Sequence, residues 1–484
     1  MKDALVIGGG VAGLGAALCL AEEGFEVTVV ERDETTLPAT PDEAFEGWPR
    51  RGAPQVRHSH AFLARLRNLL RDRNPKLLAD LLAAGATELR FTERLPETLT
   101  DTEPRPGDED LVALACRRTT FEWVLRRDAM EARGVRMVRG AVTGLLGAPG
   151  RVTGVRLEDG RELSATWTID ASGRRSPLPA WIAALGGPPL VEREEDTGIV
   201  YSSRFYRLRS DAELPPVEGM TAGDLGYLKF AVFIGDNSTY SITFGVPNED
   251  AALRALLREP GFTKAALTIP ALAPWVDPAI AEPLTGVEVM ARLLNRGRKF
   301  LGADGEPVVT GLLAVGDAHT CTNPLYGRGC SLGFVGAHLL ADALAEHGDD
   351  PHAAALAYEE AMNREVVPWY RSSVAQDRAD RASRGLTVSD DEEGALLGSG
   401  GGPGGALDPE SARSLLRDGL FPATRTDPVV FRAFLRTFNL LDPPDQILRD
   451  PEVIGRVLTV WQDRGNREDP PPAGPDRDGL LALL

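Results

Sequence analysis

The chain has 484 residues, 43% of them hydrophobic and 26% charged, and its formal net charge is −18 at pH 7. This length exceeds what a single hydrophobic core usually supports, so two or three domains are expected. The negative field repels phosphates and argues against a nucleic-acid or anionic-membrane partner, so any anionic ligand requires a local positive site.

The four cysteines are too few and too scattered for a disulfide framework or a zinc site. No charged and apolar leader precedes the first predicted strand, and no apolar run reaches the roughly 18 residues of a membrane helix. We therefore expect a cytoplasmic protein without a transmembrane segment and without a resident metal.

Residues 4–31 carry the pattern of a dinucleotide-binding unit. The apolar run ALVIG precedes Gly8, Gly10 and Gly13 in G-x-G-x-x-G order, and a helical pattern and a second apolar run follow, ending at Glu31. The glycines let the backbone approach a pyrophosphate at the helix N-terminus, where unpaired N–H groups favour anions. The acid can accept hydrogen bonds from the adenosine ribose. This unit leaves FAD and NAD open.

A basic segment, RRGAPQVRHSH, follows at residues 50–60 and precedes a helix-like stretch at 62–85. In an acidic protein such a cluster indicates either a positive loop beside the cofactor or a solvated turn, and the sequence leaves both open. Within it, Arg57 and His60 are candidate neighbours of a reacting ring.

The middle of the chain alternates helical and β patterns. Arg118 begins a predicted helix, and the segment 141–173 then holds three β-runs separated by turns, which predict a β-meander. Three strand-like runs between residues 198 and 247 predict an antiparallel sheet. A late buried strand at 309–318 leads into the glycine-rich loop GDAHTCTNPLYGRGCSLG.

The last third of the chain is predicted to be mostly helical. A long helix is expected over residues 353–382, and further helices are expected to about residue 463. Between them, 389–410 has the composition of a flexible linker, and 467–479 that of a loose tail.

Four motifs together resemble the FAD-dependent monooxygenases of the p-hydroxybenzoate hydroxylase fold, over roughly residues 1–380. They are VIGGGVAGLGAAL…VVERD, CRRTTFEWVLR, TIDASGRRS and GLLAVGDAHTCTNPLYGRGCSLG. In the third, the aspartate matches but the rest departs from the family's Cys-Asp-Gly. Within the group, RRGAPQVRHSH, DASGRRSPLPAWIAALG, DTGIVYSSRFYRL and NPLYGRGCS are most similar to epoxidases of polyether and polyketide biosynthesis.

The resemblance implies an α/β fold with a Rossmann-type FAD-binding domain, a β-meander, an inserted antiparallel-sheet substrate domain and a helical C-terminal region. It divides the chain into a FAD-binding domain at 1–195 and 296–382, a substrate domain at 196–295, and a C-terminal region with linker and tail at 383–484.

The resemblance also implies roles for single residues. Asp317 would bond a ribityl hydroxyl, Pro324 would pack beside the isoalloxazine, and Gly327–Gly333 would let a helix N-terminus face the flavin N1/O2 edge. Together with Arg57 and His60, Pro324 is a candidate catalytic residue. The expected cofactor-binding residues are Gly8, Gly10, Val11, Ala12, Gly13, Glu31, Arg32, Arg51, Arg118, Asp170, Gly316, Asp317, Pro324, Gly327, Gly329, Cys330 and Ser331. The candidate substrate residues lie on the second sheet and are Tyr201, Arg204, Tyr206, Phe230 and Phe233.

By this resemblance the protein inserts one oxygen atom from O2, through a flavin C4a-hydroperoxide, into a hydrophobic natural-product-like substrate by epoxidation or ring hydroxylation. NAD(P)H supplies electrons directly or through a partner flavin reductase. A reductase or dehydrogenase of isoprenoid or polyketide double bonds would use the same loops and stays open. A flavin-dependent halogenase is a minor alternative, because its Trp-x-Trp motif is missing and lysine is scarce.

Overall fold

The computed structural model describes residues 2–34, 36–93, 95–99, 101–215, 221–384, 411, 414–467 and 473–484. The strands are β1 (Asp3–Ile7), β2 (Glu26–Glu31), β3 (Thr87–Arg90), β4 (Val112–Ala115), β5 (Val135–Arg139), β6 (Val142–Ala148), β7 (Arg151–Leu157), β8 (Glu162–Ser164), β9 (Trp167–Asp170), β10 (Val191–Asp196), β11 (Ile199–Leu208), β12 (Ala222–Asp224), β13 (Lys229–Ile234), β14 (Thr239–Pro247), β15 (Ala281–Pro283), β16 (Glu288–Met290), β17 (Leu294–Lys299), β18 (Leu312–Ala314) and β19 (Thr320–Cys321). The α-helices are α1 (Val11–Glu22), α2 (Pro41–Gly47), α3 (Ala64–Arg73), α4 (Pro75–Ala83), α5 (Arg118–Glu131), α6 (Leu178–Ala184), α7 (Gly261–Thr268), α8 (Gly329–His347), α9 (Pro351–Glu365), α10 (Val367–Ser383), α11 (Phe421–Thr426), α12 (Pro428–Phe438), α13 (Gln446–Arg449), α14 (Pro451–Gln462) and α15 (Arg477–Leu481). Short 3₁₀ turns connect several of them, at Pro54–Arg57, Phe91–Glu93, Asp108–Asp110, Ala252–Leu257, Ala273–Val276, Gly316–Ala318, Pro324–Tyr326 and Arg464–Asn466.

A parallel sheet with the order β18-β9-β1-β2-β5 organises the nucleotide-binding part. Its strands are continuous apolar runs because both faces are covered. Val6 and Ile169 pack on one face against α1 and α8. Leu5 and Leu312 pack on the other face against the meander β6-β7-β8. The predicted third run of the meander is divided, because β8 ends at Ser164 and β9 leaves to join the parallel sheet.

Antiparallel strands build the second layer of the molecule. They pair in the order β12-β13-β14-β11-β15, with β16 beside β11, and the three strand-like runs of 198–247 form β11, β13 and β14. A smaller sheet, β10-β17-β19, connects this layer to the nucleotide-binding part. The predicted fold class is therefore confirmed.

Two predicted helices are each two helices in the structure. The stretch 62–85 breaks at Asn74, which precedes Pro75 and ends α3, because the residue before a proline is disfavoured in helical backbone. The expected long helix over 353–382 is divided at Val366 into α9 and α10, and Pro368 lies in the first turn of α10.

The prediction of a loose tail over 467–479 is wrong for its last residues, which begin a helix. Helix α15 begins at Arg477, which pairs with Asp250 at 2.8 Å, and Leu480 is fully buried in the core of the antiparallel sheet. The predicted linker at 389–410 lies outside the described residues. Within the described part of the chain, no helix is both long enough and apolar enough to cross a membrane.

Candidate functional site

Three strand ends meet at one edge of the parallel sheet. In the register of the sheet, Ile7 and Ala314 both lie beside Asp170. The loops that follow these strands therefore lie side by side, although they are far apart in the sequence. With the first turns of α1 and α8 they enclose a cavity of about 400 Å³, which falls within the range of roughly 300–1,000 Å³ usual for small-molecule sites.

The glycine turn after β1 is built for close approach of backbone to backbone. Gly8 has a φ of +103°, and a Cβ there would lie 2.7 Å from the carbonyl oxygen of Ala171. A Cβ on Gly13 would lie 1.9 Å from the Gly8 carbonyl oxygen. Glycine at both positions thus lets α1 begin directly at the cavity wall, where its N-terminal N–H groups can meet an anion.

A second helix begins at the same cavity. Gly329, the first residue of α8, and Gly333 both line it. Gly316 has a φ of +63°, and a Cβ there would lie 2.7 Å from the Cβ of Ala12 in α1. The missing side chains therefore allow the N-termini of α1 and α8 to lie next to each other, which concentrates two positive dipole ends on one space.

Glu31, at the end of β2, is buried and already has protein partners. Its Oε2 accepts hydrogen bonds from Gly9 N at 3.0 Å and from Arg50, and its Oε1 accepts from Asp33 N at 2.9 Å. Burial opposes ionisation, but the charges of Arg50 and Arg126 and these hydrogen bonds outweigh it, so the pKa of Glu31 is lowered. The carboxylate remains charged at the cavity wall, and Oε1 keeps a lone pair for a ligand hydroxyl.

Arg50 holds this corner of the site together. Its Nε donates to Glu122 at 2.6 Å, its Nη2 donates to the Gly9 carbonyl at 3.0 Å, and its guanidinium lies over Trp48 at 5.2 Å. On the other side of Glu122, Arg118 lies 3.5 Å away and belongs to the cavity wall. A buried acid thus orients two arginines around the cradle.

His60 lies at the cavity wall with both ring nitrogens in use. Its Nδ1 is 3.0 Å from the His58 carbonyl, and its Nε2 is 3.2 Å from Nη1 of Arg118. The geometry requires Nδ1 to donate and Nε2 to accept. Burial, followed by the charge of Arg118, lowers the pKa of His60 to about 3. The imidazole is therefore neutral and unable to act as a base while this contact persists.

We expect His60→Asn to reduce the pH dependence of stability. The unfolded chain protonates this histidine below its ordinary pKa of 6.5, whereas the folded protein resists protonation down to about 3. Acidification from about pH 7 to about pH 5 therefore favours unfolding, and the variant should lose about 1–2 kcal/mol less than the wild type. Urea unfolding at both pH values measures this, with the exposed His352→Asn as the control. If His60→Asn lost as much free energy of unfolding over this pH change as the wild type does, the lowered pKa assigned to His60 would be contradicted.

Asp317 lies in the turn after β18, at the cavity wall between α1 and α8. Among the described residues, no N–H or O–H group donates a hydrogen bond to its carboxylate. Burial raises its pKa, and the charges of Arg118, Arg174 and Arg296 oppose that rise. The Cys321 thiol, a weak donor, hydrogen-bonds to this carboxylate. A half-buried acid that faces a cavity and has so weak a donor is suited to a ligand that brings hydroxyl groups.

Asp317→Ala is expected to weaken FAD binding roughly 10- to 100-fold, because a hydrogen bond to a charged group contributes about 1.5–3 kcal/mol. The same change should alter the stability of the apoprotein little, since the carboxylate is half-buried and the Cys321 thiol that hydrogen-bonds to it is a weak donor. FAD titration and thermal unfolding of the apoprotein measure the two effects, with the exposed Asp349→Ala as the control. Destabilisation of the apoprotein with unchanged FAD affinity would contradict the role.

The far end of the cavity is apolar. Phe233 and Leu293 form part of its wall, together with Tyr201, whose hydroxyl donates to the sulfur of Met290 at 2.9 Å. Burial raises the pKa of Tyr201, so the phenol stays neutral. The cavity thus joins a polar, glycine-lined half to a half that suits a hydrophobic ligand.

The structure places most of the predicted cofactor-binding residues at the cavity wall. These are Gly8, Gly10, Val11, Ala12, Glu31, Arg32, Arg51, Arg118, Gly316, Asp317, Pro324, Gly327, Gly329 and Cys330. Gly13, Asp170 and Ser331 lie behind the wall instead. Asp170 accepts hydrogen bonds from Ser172 and Ser176 and so shapes the loop after β9, and Ser331 Oγ accepts from Leu63 N.

Of the candidate catalytic residues, His60 and Pro324 line the cavity, whereas Arg57 does not. The Arg57 guanidinium turns outward, where Nη2 donates to the Glu46 carbonyl at 3.0 Å and the group lies over Phe45.

Tyr201 and Phe233 line the cavity, but the other candidate substrate residues lie on the opposite face of the sheet. Tyr206 stacks on Tyr240 and packs with Phe230 in the domain core. Arg204 donates to the Thr285 carbonyl at 3.0 Å. Side chains alternate along a strand, so residues an odd number of positions apart point to opposite faces.

Several cavity residues were not among the predicted site residues. Trp181, Met290 and Leu294 line the wall, and so does Arg174 in the loop after β9. Arg174 was within the quoted motif TIDASGRRS, and its charge in an acidic protein was the available signal.

Two family profiles match parts of the chain. Residues 3–40 match the profile described as FAD dependent oxidoreductase, and residues 86–184 match the profile described as tryptophan halogenase. The first contains the glycine turn, and the second contains α5 and the meander. The second match also gives the halogenase alternative more weight than the motifs alone.

The similarity to several known proteins covers most of the chain. Protein Rv3254 of Mycobacterium tuberculosis (strain ATCC 25618 / H37Rv) is 28% identical over 491 residues, which are 94% of this chain and 93% of that protein. The flavin-dependent brominase Bmp2 is 16% identical with a TM-score of 0.60, covering 96% of this chain and 100% of its own. PqsL, a probable FAD-dependent monooxygenase from Pseudomonas aeruginosa, is 16% identical with a TM-score of 0.56, covering 80% and 96%. At such identities the two structures show a shared fold. The chain therefore shares the fold of Bmp2 and PqsL, and its residues 3–40 match the FAD dependent oxidoreductase profile.

Proposed function

We propose that this protein is an FAD-dependent monooxygenase that inserts one oxygen atom from O2 into a hydrophobic, natural-product-like substrate, by epoxidation of an alkene or hydroxylation of a ring. The observation that carries the proposal is the single cavity in which a glycine-lined cradle, Asp317 and an apolar wall meet. A dinucleotide and a hydrophobic substrate can there lie end to end.

The residues present fit FAD. At Gly8 and Gly13 an added Cβ would collide with backbone, so the turn keeps the close approach that a pyrophosphate needs. Asp317, whose carboxylate is hydrogen-bonded by the weakly donating Cys321 thiol, offers an acceptor to ribityl hydroxyls, and Glu31 offers one to the ribose. The N-terminus of α8 would stabilise negative charge on the reduced ring.

Bound and reduced FAD would supply the reaction with O2, and this chain would supply binding, orientation and exclusion of water. Tyr201, Phe233 and Leu293 would exclude water from the reacting centre and hold the apolar substrate. The lone pair on His60 Nε2 accepts a hydrogen bond from Arg118, and the Tyr201 hydroxyl donates a hydrogen bond to the sulfur of Met290. Neither side chain offers a base, which favours epoxidation over a hydroxylation that depends on deprotonation of the substrate.

NAD(P)H would supply electrons, directly or through a partner flavin reductase. A small-molecule ligand is supported by PqsL, whose structure has been solved in complex with 2-aminobenzoylacetate. The proposal places the reaction in the cytoplasm, since all four cysteines are free thiols.

The test is aerobic turnover under ¹⁸O2 with a panel of hydrophobic polyenes and phenols. The purified protein should be yellow, and the product should gain the mass of one ¹⁸O atom only when reductant, FAD and O2 are all present. A product that gains two hydrogens without O2 would instead establish the reductase or dehydrogenase alternative.

A halogenase is the second candidate, favoured by the profile match over residues 86–184. Two observations oppose it. Among the residues that the structure describes, no lysine lines the cavity, and the sequence contains no Trp-x-Trp among its seven tryptophans. Addition of bromide or chloride to the same assay decides between them, because a halogenase would produce a halogenated product.

A further inference from the structure

Arg174 lies in the cavity without an ion pair at contact distance among the described residues, although its charge acts on Asp317 in the same cavity. It follows Gly173 in the loop after β9, is half-buried, and lines the wall that also contains Tyr201 and Leu293. Within the described ranges, no carboxylate lies within ion-pair distance of its guanidinium, and the guanidinium donates no hydrogen bond.

The described buried arginines satisfy their guanidinium groups within the protein. Arg328 does so without an ion pair, because it donates to Ser373 Oγ at 3.2 Å and lies over the rings of Tyr326 and Trp369. Others have acidic partners. Arg298 pairs with Glu192 at 2.6 Å, and Arg50 pairs with Glu122 at 2.6 Å. A partly desolvated guanidinium without a counter-ion is unfavourable, and a chain with a net charge of −18 has no shortage of acids to supply one. The missing partner at Arg174 is therefore best explained by an anionic ligand.

The loop that carries Arg174 is held firmly by its backbone. Ser176 N donates to the Gly173 carbonyl at 2.9 Å, and the Arg296 guanidinium donates to the carbonyl of Arg174 itself. Arg298 donates to the Ser176 carbonyl at 2.9 Å. The side chain is thus presented from a fixed position, as a preorganised binding group requires.

The charge of Arg174 acts on Asp317, on Tyr201 in the apolar half of the cavity, and on His58, whose ring packs against Tyr201. Burial raises the pKa of Tyr201, and the charge of Arg174 opposes that rise. Burial also lowers the pKa of His58, and the charge of Arg174 lowers it further. The phosphates of FAD are expected elsewhere, at the turn formed by Gly8 and Gly13.

We propose that Arg174 binds a carboxylate of the substrate, so that the preferred substrate is an apolar molecule bearing one acidic group. This rests on the proposed function, because it assigns the apolar half of the cavity to the substrate. Arg174 would be a specificity-determining residue, which fixes the orientation of the apolar body against Tyr201 and Phe233.

The experiment compares each acid with its own amide on the FAD-loaded protein. The probes are 1-naphthoate, 3-phenylpropanoate and dodecanoate, each beside the corresponding amide, and the dissociation constants come from the change in flavin absorbance. We expect the wild type to bind at least one acid roughly 10- to 100-fold more tightly than its amide, as a charge-assisted pair provides. Arg174→Gln should lose this preference, and Arg174→Lys should recover part of it.

Arg175→Gln is the matched control, since it removes the same charge one residue further along, from an exposed side chain at the cavity rim. It should keep the acid preference to within about twofold, because exposed charges are screened. The FAD dissociation constant is measured for every variant. An Arg174→Gln protein that loses FAD affinity while keeping the acid preference would overturn the proposal, and so would a wild type that prefers no acid in the panel.

Failure of the proposed function is a separate result. If the protein bound no FAD, or bound it and transferred no oxygen, the acid preference could still be measured by calorimetry on the protein as purified. A preference that depends on Arg174 would then stand, and its absence would end this inference independently.

Discussion

Gly13→Ala is expected to lower the free energy of unfolding by at least about 4 kcal/mol, which is exceptional for a single substitution. The added methyl group would lie 1.9 Å from the Gly8 carbonyl oxygen, a backbone atom that no side-chain rotation can move. Relief requires α1 to shift away from β1. That shift separates the helix N-terminus from the cavity and opens the core between α1 and α8, so folded, FAD-binding protein should hardly accumulate.

Gly10→Ala is the matched control, because Gly10 belongs to the same glycine motif but lies in open space. A Cβ on Gly10 would meet no atom within 4 Å, so the apoprotein should keep its stability. Chemical unfolding of both apoproteins and their soluble yields measure the contrast. Equal stability of the two variants would show that the glycine turn is looser than its geometry indicates, and the argument for a backbone cradle would fail with it.

The nucleotide-binding half of the site could be predicted because its signals are local. Glycine spacing, a helical pattern and a terminal acid all occur within residues 4–31, and the structure forms β1, α1 and β2 from them. What pattern analysis could not provide is the placement of β18 beside β9, which brings Asp317 to the same cavity. That placement came from the family resemblance, because pairing between distant strands leaves no local trace.

The substrate half was harder to predict, although one physical rule was available. Tyr201 and Tyr206 lie five positions apart on β11, and Phe230 and Phe233 lie three apart on β13, so each pair must divide between the two faces of the sheet. The rule shows that only one member of each pair can face the cavity. It does not show which face that is, because this depends on how α7 and the basic segment pack against the sheet.

The sequence could not predict which acidic residue pairs with which arginine. Arg50 and Arg51 are adjacent and identical, yet Arg50 is buried against Glu122 whereas Arg51 is exposed at the cavity wall. The basic segment therefore has two roles: Arg50 is a structural anchor, and Arg51 belongs to a positive loop at the cavity. Only the three-dimensional positions of Glu31 and Glu122 separate these roles.

Asp236→Ala is expected to lower the free energy of unfolding by about 3–5 kcal/mol, the cost of removing the buried partner of a buried charge, which would keep only the half-exposed Asp42. Asp236 is fully buried in the turn between β13 and β14, and it accepts hydrogen bonds from Arg117 N at 2.7 Å and from Thr120 Oγ1 at 2.8 Å. The Arg117 guanidinium, also buried, donates to both of its oxygens. The pair joins the hairpin of the antiparallel sheet to the start of α5, next to Arg118 at the cavity.

The double variant Arg117→Met/Asp236→Ala distinguishes two contributions to the loss of stability. One is the lost attraction between the two side chains, and the other is the cost of burying the Arg117 charge without Asp236. If the buried charge is the main cost, removal of both partners should destabilise the protein less than Asp236→Ala alone, so the two substitutions will not be additive. Asp42→Ala is the control, because Asp42 also pairs with Arg117 but its side chain is 43% exposed, and its loss should change stability by less than about 1 kcal/mol. Urea unfolding of these three variants and of Arg117→Met alone measures these differences. Additive losses in the double variant would mean that the two side chains are not energetically coupled, which would contradict the cost assigned to the unpaired buried charge.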